Sequence, residues 1–365
     1  MTQHRLDYAS LHGWDRPFDT FSEQDLPSYT GMPTFCRRDY VADLAEIRRR
    51  RPDVAIVGAP FDDAVTHRPG ARFGPRAIRE ATYTEGTHSL QLEVEPWRVL
   101  DGIDAGDANV VPARQERGHA MIYRKVREVA ETGAIPFILG GDHSITWPAA
   151  TAIAEIRAPA SLGIVHLDAH ADTGTGEWGI LASHGTPMRR LVESGAVRGR
   201  NFVQVGLHGY WPSVEVFDWM RAEGFRWHVI GEIEERGIDA VIDDAIGEAL
   251  EGADAIYLSL DVDVIDPGMA PGTGTPEPGG MLTREVLRAV RRVASSVELA
   301  AMDVVEVSPP YDHAEVTAMA AHRAVLEAIS ALALKKRAGR AVRYEPAAAR
   351  ARNVVGTPAG AVRGG

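Results

Sequence analysis

Short apolar runs alternate with helix-like stretches through the middle of the chain. The first run, residues 53–60 (DVAIVGAP), ends in Gly and Pro, a pattern typical of a buried parallel strand. The same pattern predicts strands over Arg98–Ile103, Ile135–Leu139, Leu162–Leu167, Phe202–Val205, Ile256–Leu260 and Leu299–Val305. Between them lie stretches typical of helices, over Gln115–Glu131, Thr146–Ile156, Val214–Glu223, Arg284–Ala294 and Thr317–Leu334.

Strands that alternate with helices in this way indicate an α/β protein. The alternation predicts crossover connections, and therefore a mainly parallel sheet with helices on both faces. The chain shows no repeat of solenoid length and no break in composition that would mark a second domain. We predict a main domain over residues 51–335, an N-terminal extension over 1–50 that contributes to subunit or rim contacts, and a low-complexity C-terminal tail over 336–365.

The composition narrows the classes of partner. The 365 residues are 45% hydrophobic and 25% charged, which is ordinary for a globular protein, and the formal net charge is -12. An acidic surface argues against nucleic acid or an anionic membrane as the main partner, because phosphate groups require a basic face. The N-terminus lacks the apolar stretch of a secretory signal, and the single cysteine, Cys36, allows no intrachain disulfide. We therefore expect a cytoplasmic protein without a membrane or nucleic-acid partner.

Residues that bind divalent cations follow three of the predicted strands. The run Val165–Asp172 carries its ligand-type residues at alternate positions, so on an extended chain their side chains point to one side. The run Tyr257–Asp263 has the same spacing, and Leu139–Ser144 ends in a histidine after two glycines. The candidate ligands are His143, Asp168, His170, Asp172, Asp261 and Asp263.

Carboxylates at the ends of apolar strands are rare unless they are paired or bind a metal. A single Asp-x-Asp is more often a cap or a turn. Three such clusters at the carboxyl ends of strands, where open α/β sheets bind ligands, favour a metal site. Four carboxylates and two imidazoles suit two ions that share bridging carboxylates, roughly 3.5–4 Å apart, with a bridging water that becomes hydroxide near neutral pH. Oxygen and imidazole donors without thiolate suit Mn²⁺ better than structural zinc.

These motifs, taken together and in order, resemble the ureohydrolase family of arginases and, more closely, agmatinases. The resemblance covers roughly residues 53–334 and is carried by the segments 68–75 (RPGARFGP), 104–107 (DAGD), 140–143 (GGDH), 168–172 (DAHAD), 183–186 (SHGT), 259–263 (SLDVD), 271–276 (PGTGTP) and 303–307 (DVVEV). It implies an arginase-type three-layer α/β/α sandwich, a homotrimer or homohexamer, and two Mn²⁺ ions per chain, with Ni²⁺ also compatible.

The resemblance also implies a role for each ligand. One ion would take His143 and Asp172, the other His170 and Asp263, while Asp168 and Asp261 would bridge them. Asp172 would in addition accept a proton as the attacked carbon becomes tetrahedral.

Four more residues are candidates for contact with the substrate. The resemblance implies that Glu306 holds the substrate guanidinium, that His184 moves protons and that Thr275 lies beside the substrate. The loop 173–183 departs from the family pattern; its Trp178 either packs over a short substrate or anchors the loop.

The implied reaction is hydrolysis of a guanidinium compound to urea and an amine, most simply agmatine to putrescine and urea. Guanidinobutyrate, another ω-guanidino acid or free guanidine are the alternatives. The loop 173–183 contains Glu177 and no Lys or Arg, which favours a cationic or neutral tail, unless Arg72, Arg76 or an arginine of a neighbouring subunit reaches the pocket. Two other classes stay open: a two-metal phosphoesterase and a catalytically silent subunit.

Several polar residues near these motifs are predicted to be structural. Asp142 is expected in a turn beside His143, and Asp303 is expected to support structure. Pro75 after Gly74 predicts the start of a further helix. The histidines without ligand-spaced neighbours are expected to be non-catalytic, and these are His208, His228, His313 and His322.

Overall fold

The computed structural model of the protein describes residues 29–81, 84–158 and 161–342. Within these residues one all-parallel sheet contains nine strands, whose order across the sheet is β1-β3-β2-β4-β9-β8-β5-β6-β7. The strands are β1 (Asp39–Tyr40), β2 (Val54–Ala59), β3 (Gly102–Asp107), β4 (Ile135–Gly140), β5 (Leu162–Leu167), β6 (Phe202–Leu207), β7 (Arg226–Val229), β8 (Ala255–Asp261) and β9 (Leu299–Val305).

Eleven α-helices connect and cover these strands in the described residues. They are α1 (Leu44–Arg50), α2 (Gly74–Glu80), α3 (Pro96–Val99), α4 (Gln115–Ala130), α5 (Thr146–Arg157), α6 (Pro187–Glu193), α7 (Val214–Glu223), α8 (Ile230–Arg236), α9 (Ile238–Ala249), α10 (Thr283–Ser296) and α11 (Val316–Arg337). Helix α2 contains Pro75 in its first turn, as predicted.

The sheet is covered on both faces, which confirms the predicted three-layer sandwich. Alternate residues of one strand belong to different cores: Val54 and Ile56 of β2 pack with α2 and α8–α11, whereas Ala55 and Val57 pack with α1 and α4–α7. Because side chains alternate across a strand, a strand with a core on each face reads as a continuous apolar run. That run is the pattern by which most of the strands were predicted.

The predicted strand over Arg98–Ile103 is wrong in its first half. Pro96 opens a helical turn, α3, and the strand starts at Gly102, where an added Cβ would lie 2.5 Å from the ring of Trp97. The strand then continues to Asp107, past the polar residue Asp104. Asp104 is buried because Arg79 donates two hydrogen bonds to it, at 2.7 and 2.9 Å, so the apolar pattern stops short of the strand end.

The two ends of the chain were predicted to lie outside the main domain, and these boundaries stay predictions. Within the extension, residues 39–50 add the edge strand β1 and helix α1 to the fold. Residues 1–28 and the tail residues 343–365 lie outside the described residues. Among the described residues, helix α11 is long and apolar enough to cross a membrane, but 83% of its apolar stretch is buried inside the protein, as in a core helix.

Candidate metal and active site

The candidate ligands come together at the carboxyl edge of the four central strands, β4, β9, β8 and β5. These strands are neighbours in the sheet and end at the same level, since Leu139 of β4 and Leu260 of β8 both pair with Val304 of β9. Leu260 in turn pairs with Leu167 of β5. Each strand therefore delivers the residues that follow it to one place, as predicted for the ends of parallel strands.

The first group of ligands surrounds one imidazole nitrogen. His143 Nδ1 lies 3.0 Å from an oxygen of Asp168, 3.0 Å from an oxygen of Asp172 and 3.1 Å from an oxygen of Asp261. The nitrogen is buried, yet it makes no hydrogen bond within the described residues. A buried imidazole nitrogen among three carboxylate oxygens, without a hydrogen bond, is the arrangement expected around a cation.

The second group lies next to the first and shares one carboxylate with it. His170 Nδ1 is 3.0 Å from Asp263 Oδ2 and 3.6 Å from Asp168 Oδ1. Asp168 thus faces His170 with Oδ1 and His143 with Oδ2, as a bridging ligand must. Asp261 Oδ2 lies 3.1 Å from His143 Nδ1, and Asp261 Oδ1 accepts a hydrogen bond from the backbone N–H of Asp263 at 2.8 Å.

The buried carboxylates of the two groups give the site an excess of negative charge, which favours cations. Burial, together with the charges of Asp263 and Asp168, holds the pKa of Asp261 well above its usual range. Burial and the charge of Asp168 also raise the pKa of Asp263 to about 6. So many buried carboxylates repel one another, and divalent cations would relieve that repulsion. The donor set, the unbonded His143 nitrogen and the excess of negative charge fit two such ions.

Glu306 lies beside this cluster, immediately after β9, and adopts a left-handed backbone with φ +65°. Its Oε1 accepts a hydrogen bond from the backbone N–H of His143 at 2.8 Å and lies 3.0 Å from His184 Nδ1. Its Oε2 is buried and has no hydrogen-bond partner within the described residues. The space in front of Oε2 is kept open by Gly274, on which an added Cβ would lie 2.9 Å from that oxygen.

His184 has a partner on each ring nitrogen. Nδ1 faces Glu306, while Nε2 lies 3.1 Å from the backbone nitrogen of Thr66 and 2.6 Å from its hydroxyl. Burial alone would lower the pKa of His184, but the carboxylate of Glu306 outweighs burial and raises the pKa to about 9. The Thr66 N–H pointing at Nε2 fits the neutral ring instead. Two nearby divalent cations would bring the pKa back toward neutral pH, where both forms are accessible.

A cleft of about 570 Å³ leads from solvent to the two ligand groups. Trp178 lies at its rim with 79% of its surface exposed, and Thr275, with its hydroxyl 3.3 Å from Asp263 Oδ2, lies deeper. The charged side chains of the outer cleft are Arg68, Glu177 and Glu277.

Neither arginine that was considered as a pocket residue lines the cleft. Arg72 pairs with Asp62 and Asp63, and Arg76 pairs with Glu80 on an exposed helix face. The arginine that does line it is Arg68, four residues before Arg72, and nothing in the sequence alone distinguishes it from Arg72 and Arg76.

Most of the residues predicted to be structural make side-chain hydrogen bonds within the fold. Asp142 accepts hydrogen bonds from the backbone of Ala64 and Ser144 beside the ligand His143. His208 and His322 bond to backbone carbonyls, and His228 lies between Glu232 and Glu248. His313 is exposed.

Asp303 also supports structure, and Ser259 links it to the candidate ligand His143. It accepts hydrogen bonds from the hydroxyls of Thr146, Tyr257 and Ser259, each at 2.7 Å. The hydroxyl of Ser259 also lies 2.9 Å from His143 Nε2, so Asp303 and Ser259 together hold the far side of that imidazole.

Sequence reasoning missed two buried residues behind the ligands, His166 and Gln204. His166 lies two positions before Asp168 on β5, so the alternation that grouped the ligands could have included it. Gln204 gives no sequence signal of its own, because it reaches the site from the neighbouring strand β6.

Comparison with known proteins shows the family of the chain. The arginase family model matches residues 52–330. Proclavaminate amidinohydrolase of Streptomyces clavuligerus is 37% identical, over 81% of this chain and 91% of that protein. Its solved structure superposes with a TM-score of 0.78 at 34% identity, covering 85% of this chain and 99% of that one.

Two further relatives carry other substrates in their names. Guanidinopropionase of Pseudomonas aeruginosa is 36% identical, over 85% of this chain and 94% of that protein. Agmatinase of Chromobacterium violaceum is 34% identical, over 86% and 92%. The resemblance inferred from the motifs is confirmed. Enzymes of this family depend on a dinuclear metal centre. The chain belongs to the arginase family and is a ureohydrolase that acts on C–N bonds of guanidino compounds.

Proposed function

We propose that the protein hydrolyses a small ω-guanidino compound to urea and an amine, with two Mn²⁺ ions held by the six predicted ligands. The observation that carries the proposal is Glu306 Oε2, a buried carboxylate oxygen without a hydrogen-bond partner in the described residues. Leaving such an oxygen unpaired is costly, and a planar guanidinium supplies the N–H donors it lacks. Its position beside the two ligand groups would put the guanidinium carbon next to the metals.

Six side chains would hold the ions. His143 and Asp172 would bind one, His170 and Asp263 the other, and Asp168 and Asp261 would be shared. When bound, two divalent cations supply a strong oxygen nucleophile at neutral pH and stabilise the negative charge that develops. Mn²⁺ is the first choice for these oxygen and imidazole donors, and Ni²⁺ the second.

The other polar residues bind the substrate or move protons. Glu306 would fix the guanidinium for attack, because its Oε1 is already held by the backbone of His143 and by His184. Asp172 would accept a proton as the carbon becomes tetrahedral. His184 would deliver a proton to the leaving amine, since with both cations bound its pKa would lie near neutral pH, where it can pick up and release a proton.

The outer cleft favours a cationic tail, with agmatine as the first candidate substrate. Glu177 and Glu277 both line the cleft, and neither has an ion-pair partner among the described residues. Two unpaired carboxylates would attract the ammonium group of agmatine and repel a carboxylate. The similarity to an agmatinase supports this choice.

A guanidino acid is the second candidate, because Arg68 also lines the cleft. Its guanidinium lies 5.2 Å from the ring centre of Tyr311 and has no acidic partner among the described residues. An unpaired arginine is well suited to a substrate carboxylate. The similarity to a guanidinopropionase supports this alternative.

Urea release by the Mn²⁺-loaded protein would decide between them. We expect kcat/KM to be highest for agmatine, compared with guanidinobutyrate, guanidinopropionate and free guanidine. Glu277→Gln should then lower kcat/KM for agmatine, whereas Arg68→Gln should not lower it, because Arg68 carries the same charge as the tail. The reverse pattern, with guanidinobutyrate preferred and Arg68→Gln damaging, would establish a guanidino acid hydrolase. Release of no urea from any of the four would refute the proposed function. A cytoplasmic location and a homotrimer or homohexamer stay predictions.

A further inference from the structure

His166 is fully buried behind the shared carboxylate of the site. It lies on β5, two residues before Asp168, and its Nε2 is 2.7 Å from Asp168 Oδ2. The same Oδ2 is the oxygen that lies 3.0 Å from His143 Nδ1. His166 therefore contacts the oxygen of Asp168 that faces the first group, and it does not line the cleft.

Gln204 decides which nitrogen of His166 carries the proton. The two residues pair in register on β6 and β5, and Gln204 Nε2 lies 3.1 Å from His166 Nδ1. The same amide nitrogen donates to the backbone carbonyl of Ala171. That carbonyl fixes the amide orientation, because the reversed amide would place two oxygens against each other. His166 Nδ1 consequently accepts, and Nε2–H donates to Asp168.

We propose that Gln204 and His166 are positioning residues that hold Asp168 as the ligand shared by the two ions. The inference rests on the proposed function, since it assumes that Asp168 binds metal. One oxygen of Asp168 accepts from His166, and the other accepts from the backbone N–H of His170 at 2.6 Å. Both oxygens are thus aimed, one toward each group. Gln204 also holds the backbone between His170 and Asp172 through Ala171.

The arrangement excludes His166 itself as a ligand. His166 lies close enough to His143, Asp168 and Asp172 to be counted with them as a metal-binding group. A ligand nitrogen, however, must present a lone pair to the metal, and Nε2 carries a proton while Nδ1 is occupied by Gln204. His166 acts on the metals through Asp168, as residues behind metal ligands commonly do.

The test compares Mn²⁺ binding by variants with a matched control. His166→Phe keeps a ring without the donor, and Gln204→Leu removes both amide hydrogen bonds. Asn201→Leu is the control, because Asn201 is also a buried amide whose nitrogen donates twice, to the carbonyls of Ala249 and Glu251, each at 2.9 Å. It makes no bond to the ligand groups. Equilibrium dialysis would measure Mn²⁺ affinity, and electron paramagnetic resonance would report whether the two ions are magnetically coupled.

We expect both site variants to bind Mn²⁺ about 10- to 100-fold more weakly, the range typical for residues behind metal ligands, and to lose part of the coupled signal. Asn201→Leu should keep the parental affinity and signal. His166→Gln, which retains a donor, should recover part of the loss. If Gln204→Leu does not give the parental circular dichroism spectrum, Gln204→Met takes its place.

Three outcomes would count against the inference. Parental affinity and coupling in His166→Phe and in the Gln204 variant would overturn it. Loss of one whole ion in His166→Phe, with the Gln204 variant unaffected, would make His166 a ligand instead. A parental protein that binds fewer than two Mn²⁺ would refute the proposed function, and this inference with it.

Discussion

Gly274→Ala tests whether Glu306 Oε2 receives the substrate. The added Cβ would lie 2.9 Å from Oε2 and 3.4 Å from the carbonyl oxygen of Arg68. A guanidinium N–H that bonds to Oε2 must place its nitrogen at about 2.7–2.9 Å, so the methyl group and the substrate compete for the same space. Gly274 does not have a positive φ, so its backbone accepts alanine and the defect should be local.

The expected loss follows from the hydrogen bond that is displaced. A hydrogen bond to a charged group contributes about 1.5–3 kcal/mol, so kcat/KM for urea release should fall about 10- to 150-fold. Mn²⁺ content should stay at the parental value, because the methyl group touches no ligand in the two groups. Gly247→Ala is the control, since nothing lies within 4 Å of its added Cβ. If Gly274→Ala kept kcat/KM within about twofold of the parent, the guanidinium would have to bind elsewhere.

Three other changes should have distinct effects. His184→Ala should slow turnover about 10²- to 10⁴-fold with both ions still bound, and parental turnover across the pH range would show that His184 moves no proton. Asp303→Leu should leave three buried hydroxyls without their acceptor and lower the free energy of unfolding by about 3 kcal/mol or more. Urea denaturation in the presence of EDTA would measure this, and an unchanged midpoint would contradict it. Burial lowers the pKa of His322 to about 4. As the pH falls, His322 is therefore protonated in the unfolded state before it is protonated in the folded state. The free energy of unfolding should be highest above about pH 6.5 and fall by up to about 3 kcal/mol as the pH drops to 4. His322→Phe should reduce this pH dependence in denaturation experiments.

The candidate ligands could be recognised from the sequence because the pattern that marks them is local. Asp168, His170 and Asp172 directly follow an apolar run, and so do Asp261 and Asp263. A strand that is buried on both faces is a continuous apolar run, so the end of the run marks the end of the strand. In a parallel sheet, the residues that bind ligands lie at these carboxyl ends. The fold class and the candidate ligands could therefore be predicted without knowledge of any long-range contact.

Long-range pairing explains what the sequence could not show. Asp104 is buried within β3 only because Arg79 pairs with it, and no local pattern announces that partner. Edge strand β7 was missed because its residues, Arg226–Val229, are half exposed and do not form an apolar run. Arg68 reaches the cleft from a segment about 100 residues before the loop 173–183. Which charges face one cleft is decided by tertiary structure.

In the proposed function, metal binding depends on residues at the strand ends, whereas preference for the substrate tail depends on residues in the rim loops. Selection or a designer could therefore change the tail preference without changing metal binding. The candidate ligands and Glu306 lie at the ends of the central strands, where neighbouring strands and buried hydrogen bonds fix them. Glu177, Trp178 and Glu277 stand on loops at the cleft mouth, and none of the three makes a hydrogen bond to a ligand among the described residues. A library randomised at these three positions should therefore yield new tail preferences while most of its members retain both ions and a folded core.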